Sequence, residues 1–253
     1  MSWYAYCLTE QQTLTNGVRT RRPFLLEGIQ GVNGAPVLSY PSGEFAVIVS
    51  EYDRTIENGK MEKMEEKTVL EHARVVSLCF RNGTVLPFRF GTLFDSDEAL
   101  RQAVRANRRA FGQSVEKLRG KSEMHLKVLV KDGALREAFT DVPLPHTVGG
   151  DYLMKLREKA SKDRERSTKA RALSVQVHKL FNPLEEEVSC KRVNTNGMLI
   201  DIAHLIDSKS VEKYQNRYTS AAKQLKNCEL VISGPWPPYH FLPGKLRTVA
   251  GSS

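Results

Sequence analysis

The first half of the chain opens with three apolar runs whose pattern is typical of β-strands. They read SWYAYCLT, PFLLEGI and EFAVIVSEY, and turn-forming segments rich in glycine, proline or asparagine separate them. In the third run, from Phe45 to Ser50, two sets of residues alternate as side chains on opposite faces of a strand do. We therefore expect a sheet at the start of the chain.

Two helices are predicted after these strands. Near residues 61–81, apolar positions recur at spacings of four, three and four, which indicates one buried helical stripe. Asp95 and Glu98 resemble a capping box, so a second helix is predicted to begin there and to end at Gly120. The stripe of the first helix consists of Val69, Ala73, Val76 and Phe80. The apolar face of the second consists of Leu100, Val104, Phe111, Val115 and Leu118.

The second half has a more regular pattern. The run EMHLKVLVK alternates like a strand with one buried face, and a long helix is predicted over residues 151–181, apolar at both ends and charged between them. Two strands then flank the hairpin signal Asn194–Gly197. A helix with apolar positions from Val211 to Leu225 and the strand CELVISG complete a β-α-β-β-α-β order. The simplest compact arrangement of that order is a ferredoxin-like sandwich.

These elements predict an α+β protein of two domains. At 253 residues the chain is long for one domain and sufficient for two. Residues 1–120 form an N-terminal α+β domain with a small sheet and two helices in this interpretation. Residues 121–253 form a modified ferredoxin-like domain with an extended helical insertion and a tail rich in proline and aromatic residues.

Composition and charge narrow the class of protein. The longest clearly apolar run, Phe45 to Val49, is far too short to cross a bilayer, so we expect no membrane span. Cys7, Cys79, Cys190 and Cys228 are far apart in sequence, which argues against a zinc site or a disulfide framework and favours reduced, mostly buried thiols.

The net charge of +9 is unevenly distributed. Residues 121–253 contain 22 basic and 15 acidic residues, whereas the first 120 residues are nearly balanced. Within residues 155–179, nine basic residues accompany three acidic ones. A basic patch of this kind can attract an acidic partner or surface.

Candidate catalytic and metal-binding motifs are not found in the sequence. The six histidines show no metal-ligand spacing, and none lies beside a cysteine or serine in a known nucleophile motif. His204, on the apolar face of MLIDIAHLI, is interpreted as a hydrogen-bonded core residue. These motifs predict no catalytic residues, metal site, cofactor or small-molecule substrate, and an enzyme whose site is assembled from residues distant in sequence stays an open alternative.

Nucleic-acid binding is the alternative that the residues leave open. Some basic ferredoxin-like domains bind RNA, and they stack bases on aromatic side chains of their central strands. Here the strands EMHLKVLVK and MLIDIAHLI contain no phenylalanine, tyrosine or tryptophan. A basic nucleic-acid-binding module therefore rests on charge alone, and no nucleic acid is expected as a partner.

Three stretches together resemble one known family. They are VLEHARVVSLCFRNGTVLPFRFGTLF from Val69, GDYLMKLREK from Gly150 and LVISGPWPPYHF from Leu230. In this order and spacing they are similar to the gas vesicle protein F/L family (GvpF/GvpL), over nearly the whole chain. The resemblance does not distinguish the F type from the L type. It implies two α+β domains, the second a modified ferredoxin fold with an extra helical region.

The resemblance also implies a role. Family members are accessory or minor structural components of gas vesicle formation, without catalytic residues. We accordingly expect a cytoplasmic, gas-vesicle-associated protein that is not an enzyme. Its expected partners are the hydrophobic shell protein and other gas vesicle accessory proteins, bound during nucleation or assembly.

Two sets of residues are candidates for structural or partner contacts. The prolines of the C-terminal segment predict an extended path that leaves the sheet, and its aromatic residues are expected to clamp the two domains together. The clamp candidates are Trp236, Pro237, Pro238, Tyr239 and Phe241, with Phe88 and Phe90 as the surface they contact. The partner-binding candidates on the charged helix are Lys155, Lys159, Lys162, Arg166 and Lys169.

Overall fold

The computed structural model describes residues 2–11, 20–52, 66–130, 150–181, 187–191, 198–225 and 228–242. It confirms a mixed fold of helices and sheets. The chain divides into two compact units, Met1–Lys121 together with Trp236–Ser253, and Ser122–Pro235. The sequence predicts a division into residues 1–120 and 121–253, so the two divisions differ in where they place the C-terminal segment.

The first unit is built on one antiparallel sheet. Its main strands follow the order β2-β3-β4-β1-β5, and β6 also pairs with β1. Strand β3 is not predicted from the sequence, because its two prolines read as turn signals. Pro36 is the first residue of the strand and Pro41 lies near its end, positions where a missing N–H is tolerated. The strands are β1 (Ser2–Glu10), β2 (Phe24–Gln30), β3 (Pro36–Ser42), β4 (Phe45–Tyr52), β5 (Val85–Pro87) and β6 (Leu93–Phe94).

One helix covers each face of this sheet. Helix α1 spans Glu66–Asn82 and helix α2 spans Asp97–Leu118. In β1, the Trp3 indole donates a hydrogen bond to Asp97 of α2, whereas the next residue, Tyr4, is hydrogen-bonded to His72 of α1. Successive side chains of a strand point to opposite faces, so the two helices lie on opposite sides. Both faces of β4 are therefore buried, and its alternation does not mark a solvent-exposed face.

The predicted helices occur close to their expected positions, with two corrections. In α1 the buried face is formed by His72, Val75, Val76 and Cys79, so only Val76 of the predicted stripe is fully buried. In α2 the predicted apolar face is confirmed by five buried residues. The N-cap of α2 is Ser96, whose side chain accepts a hydrogen bond from the Ala99 N–H at 3.1 Å; it is not Asp95.

The second unit has the predicted β-α-β-β-α-β order. Its sheet order is β10-β7-β9-β8, so its own strands lie in the order 4-1-3-2. Strands β8 and β9 pair in antiparallel orientation, as the hairpin signal between them predicts; the turn itself lies outside the described residues. The elements are β7 (Lys121–Val130), α3 (Gly150–Phe181), β8 (Glu187–Lys191), β9 (Met198–Asp207), α4 (Val211–Gln224) and β10 (Cys228–Trp236).

The core of the second unit joins one face of this sheet to the two helices. Val177 and Phe181 of α3 and Tyr214 of α4 pack against alternate residues of the strands. His204 is buried, and its Nδ1 is hydrogen-bonded to the Tyr214 hydroxyl at 2.6 Å, which confirms its interpretation as a core residue. The strand residues of this core are Met124, Leu126, Val128, Ile200, Ile202, Ile206, Cys228 and Leu230.

Candidate interaction surfaces

Over most of helix α3 the described side chains are exposed to solvent. From Met154 to Ala172, all side chains that the structure describes are exposed, and burial begins only at Leu173. The charged middle of the helix is therefore solvated, as predicted. The side chain of Leu156, near the apolar N-terminal end of the helix, is also 41% exposed.

The basic candidates on α3 form part of this exposed surface. Lys155, Lys159 and Lys162 are exposed and recur at spacings of four and three, which places them on one face of the helix. The side chains of Arg166 and Lys169 lie outside the described residues. Met154, next to the first lysine, is 65% exposed. We call this surface, from Met154 to Lys162, the α3 surface; it combines positive charge with exposed apolar area.

The C-terminal segment is only partly buried. Pro237, Pro238 and Phe241 are buried, whereas Trp236 is 45% and Tyr239 is 37% exposed. The segment from Trp236 onward belongs to the first unit, the unit that also contains the buried Phe88 and the half-buried Phe90. The role of these residues as a clamp between the two units stays a prediction.

The first unit contains a buried polar cluster on the α1 face of its sheet. The Tyr4 hydroxyl and His72 Nδ1 are hydrogen-bonded at 2.8 Å, and the ring of Phe90 lies 5.8 Å from that of His72. Burial raises the pKa of Tyr4 well above its usual range, and the proximity of Tyr239 adds to this rise. Burial lowers the pKa of His72 to about 4. The cluster is therefore uncharged at neutral pH, as a packed interior requires.

A histidine between two carboxylates lies on the sheet of the second unit, on the face opposite its core. His125 of β7 makes a hydrogen bond of 2.5 Å through Nε2 to Glu123, and its Nδ1 lies 3.6 Å from an oxygen of Asp201. Glu123 is 1% exposed. The hydrogen bond to Glu123 is the largest cause that raises the pKa of His125, and the charge of Asp201 adds to it, although burial opposes both.

This arrangement predicts a pH-dependent stability. A raised pKa in the folded state means that protonated His125 stabilises the fold, fully below its unfolded pKa of about 6.5. That stabilisation is lost as the pH rises through the folded pKa. We expect His125→Gln to flatten the decline of the free energy of unfolding above about pH 6.5, measured by urea denaturation. Lys127→Gln removes a cation from the same strand face and serves as the control; an equal flattening there contradicts the assignment to His125.

An arginine-lined groove lies between α2 and the turn that joins β3 to β4. Its volume is about 780 Å³, and its lining includes four arginines and Glu44. This groove is not among the sites predicted from the sequence, although a signal is present: Arg101, Arg105 and Arg108 recur at spacings of four and three along α2. The four arginines are Arg21, Arg101, Arg105 and Arg108.

Comparison with known proteins identifies the family. The model of the family described as "Gas vesicle synthesis protein GvpL/GvpF" matches residues 2–243. The chain belongs to this family. Membership in GvpL/GvpF confirms the resemblance carried by the three sequence stretches and makes this a gas vesicle protein. GvpL/GvpF is not a known family of enzymes.

Two curated GvpL/GvpF relatives match along most of their length. Gas vesicle protein L of Streptomyces sp. (strain CB03234) is 25% identical over 241 residues, which cover 87% of this chain and 89% of that protein. Gas vesicle protein F1 of Halobacterium salinarum is 22% identical over 244 residues, covering 94% and 92%. Since one relative is an L type and the other an F type, the type of this GvpL/GvpF chain stays open.

Solved GvpF structures share the fold. The crystal structure of GvpF from Anabaena sp. PCC7120 has a TM-score of 0.70 with 18% identity and covers 96% of both chains. That of GvpF from Microcystis aeruginosa has a TM-score of 0.67 with 18% identity, covering 96% of this chain and 99% of the other. Among the described helices of this GvpL/GvpF chain, none has the length and hydropathy needed to cross a bilayer.

Proposed function

We propose that this GvpL/GvpF protein is an accessory or minor structural component that binds the gas vesicle shell protein and other assembly proteins during nucleation or assembly. The observation that carries the proposal is the family match over residues 2–243. The names of the relatives, gas vesicle proteins L and F1, support the same process.

The proposal has a physical reason. A shell protein that polymerises into a gas-filled wall exposes apolar surface before assembly, and exposed apolar patches and unpaired strand edges lead to aggregation. A protein that covers such a surface transiently keeps subunits available for ordered growth.

The α3 surface is the contact we propose. Its lysines provide positive charge that accelerates encounter with an acidic partner. Its exposed Met154 and Leu156 provide apolar area that binding can bury. An α-helix of 32 residues is about 48 Å long, and among the side chains of α3 that the structure describes, the buried ones are Val177 and Phe181 at its C-terminal end. The exposed part is thus held by a packed anchor while remaining accessible.

The test is co-expression with the proteins of the same gene cluster, followed by pull-down. We expect Lys155→Gln, Lys159→Gln and Lys162→Gln together to lower the association constant for the shell protein about three- to tenfold, since exposed charges contribute modestly. The matched control replaces three exposed lysines of the same unit, which are Lys209, Lys213 and Lys223. It removes the same charge and is expected to leave association within about twofold of the wild type.

Two outcomes contradict the proposal at different levels. If the α3 variant and its control bind the shell protein equally well, the contact lies elsewhere on the protein. If the wild-type protein associates with no protein of the cluster, and deletion of its gene leaves vesicle formation unchanged, the accessory role itself is wrong. Binding of the purified protein to generic RNA, lost in the α3 variant, would favour the nucleic-acid alternative.

A further inference from the structure

The arginine-lined groove of the first unit is built from elements that are distant in sequence. Helix α2 provides one wall, and residues 41–45, which include the turn between β3 and β4, provide another. Phe45 and Val104 belong to the lining but are almost fully buried, so they close the groove from below. A volume of about 780 Å³ is typical of sites that hold a small molecule or several side chains of a bound peptide.

Two of the arginines are held in place by neighbouring side chains. Arg101 donates a hydrogen bond from Nε to the Tyr40 hydroxyl at 2.9 Å, and its guanidinium lies 5.5 Å from the centre of that ring. Tyr40 in turn donates to Asp97 at 2.8 Å. Arg108 donates from Nε to both carboxylate oxygens of Glu44, at 2.8 and 3.0 Å. Within the part of the chain that the structure describes, the Nη groups of Arg101 and Arg108 make no hydrogen bond, so their donors are oriented but available.

The charge of the described lining favours an anionic occupant. Among the lining residues that the structure describes, four arginines against one glutamate give a net charge of +3. Arg105 contributes from the rim, where it pairs with the exposed Glu98 at 2.5 Å. Guanidinium groups present flat, forked donors that match carboxylates and phosphates. The choice between these two anions depends on the rest of the groove.

A nucleic acid does not suit this groove. Single strands bind by stacking bases on exposed aromatic rings. Phe45 is the aromatic residue of the described lining, and it is 2% exposed because its ring packs edge-on against Phe111 at 6.2 Å.

We infer that the groove binds an acidic peptide segment of a partner protein, with its carboxylates on Arg101, Arg105 and Arg108. Arg108 binds the Glu44 carboxylate through its Nε, which leaves its Nη groups for a carboxylate of the segment. Apolar side chains of the segment can contact Pro41, which is half-buried in the wall. This site lies in the first unit and is independent of the α3 surface, so either can be wrong without the other.

The test is fluorescence anisotropy with the full chain and a fluorescein-labelled peptide of four Glu-Glu-Leu repeats. We expect Arg101→Gln with Arg105→Gln to weaken peptide binding at least tenfold, because two charge-assisted contacts are lost. The matched control, Arg109→Gln with Lys117→Gln, removes two exposed cations from the same helix outside the groove. It is expected to change the Kd less than about twofold.

Several results would overturn the inference. Equal losses in the groove variant and the control would mean that only overall charge matters. Equal binding of a peptide with Gln in place of Glu would exclude carboxylate recognition. Tighter binding of a 12-nucleotide single-stranded RNA at the same arginines would assign the groove to nucleic acid. If the double variant unfolds, Arg105→Gln alone gives the same comparison. This variant is expected to fold, because the ion pair that it removes, with Glu98, is exposed.

Discussion

Replacing Phe181 with alanine is expected to destabilise the second unit by about 3–5 kcal/mol. Phe181 is fully buried, and its ring lies 4.8 Å from that of Tyr214 and 5.6 Å from that of His204. The alanine leaves a cavity beside a buried hydrogen bond and removes the last packed residue of α3. Amide hydrogen exchange of β7 and β9 measures this loss for the second unit by itself.

The matched control for Phe181 is on the same helix. Val175 is 51% exposed, so Val175→Ala is expected to change the stability by less than about 0.5 kcal/mol. If Phe181→Ala lowered the stability no more than Val175→Ala, the C-terminal turns of α3 would not anchor the helix. The proposal that these turns hold the α3 surface in place would then be wrong.

The second large effect is expected at Gly31 in the first unit. A methyl group there would overlap the Tyr6 hydroxyl and lie 2.7 Å from the Ser50 hydroxyl. Tyr6 is fully buried, and its hydroxyl accepts a hydrogen bond from the Val32 N–H at 2.9 Å. Gly31→Ala must displace this ring and its hydrogen bonds, so we expect a loss of about 2–4 kcal/mol. Equilibrium urea denaturation followed by tryptophan fluorescence measures it.

Gly112 provides the opposite expectation for the same substitution. It lies inside α2, and apart from its chain neighbours and the backbone of its own helix, no atom of the described residues is within 4 Å of the position of an added methyl group. Because glycine disfavours a helix, Gly112→Ala should stabilise the first unit by about 0.5–1 kcal/mol. Opposite signs at Gly31 and Gly112 are the expected result. A loss at Gly112, or no loss at Gly31, would contradict the packing described for that position.

The sequence predicts burial well where the burial depends on the periodicity of a single helix or strand. The apolar face of α2 and the alternation of β7 follow from local periodicity, and the structure buries those residues. The α1 stripe is only partly predicted, because its buried face includes His72. That residue is polar in sequence, and its burial depends on a hydrogen bond to Tyr4, 68 residues away.

Predictions that depend on distant residues are less complete. Strand β3 is missed because its prolines resemble turns, and only its pairing with β4 shows that it belongs to the sheet. The groove forms because Tyr40 and Glu44 lie beside the arginines of α2. Both residues are distant from α2 in sequence, so the spacing of the arginines alone could not predict the groove. By contrast, the exposure of Lys155, Lys159 and Lys162 follows directly from the charged pattern around them.

The division of the chain also has a consequence for its biosynthesis. The second unit, Ser122–Pro235, is inserted in the sequence between the two parts of the first. A ribosome therefore releases every residue of the second unit before it releases the segment containing the buried Phe241. Domains commonly mature in the order of synthesis, from the N-terminus onward. Here the unit that starts first is completed after the second, and its sheet must wait for the segment from Trp236 onward until the whole second unit has been synthesised.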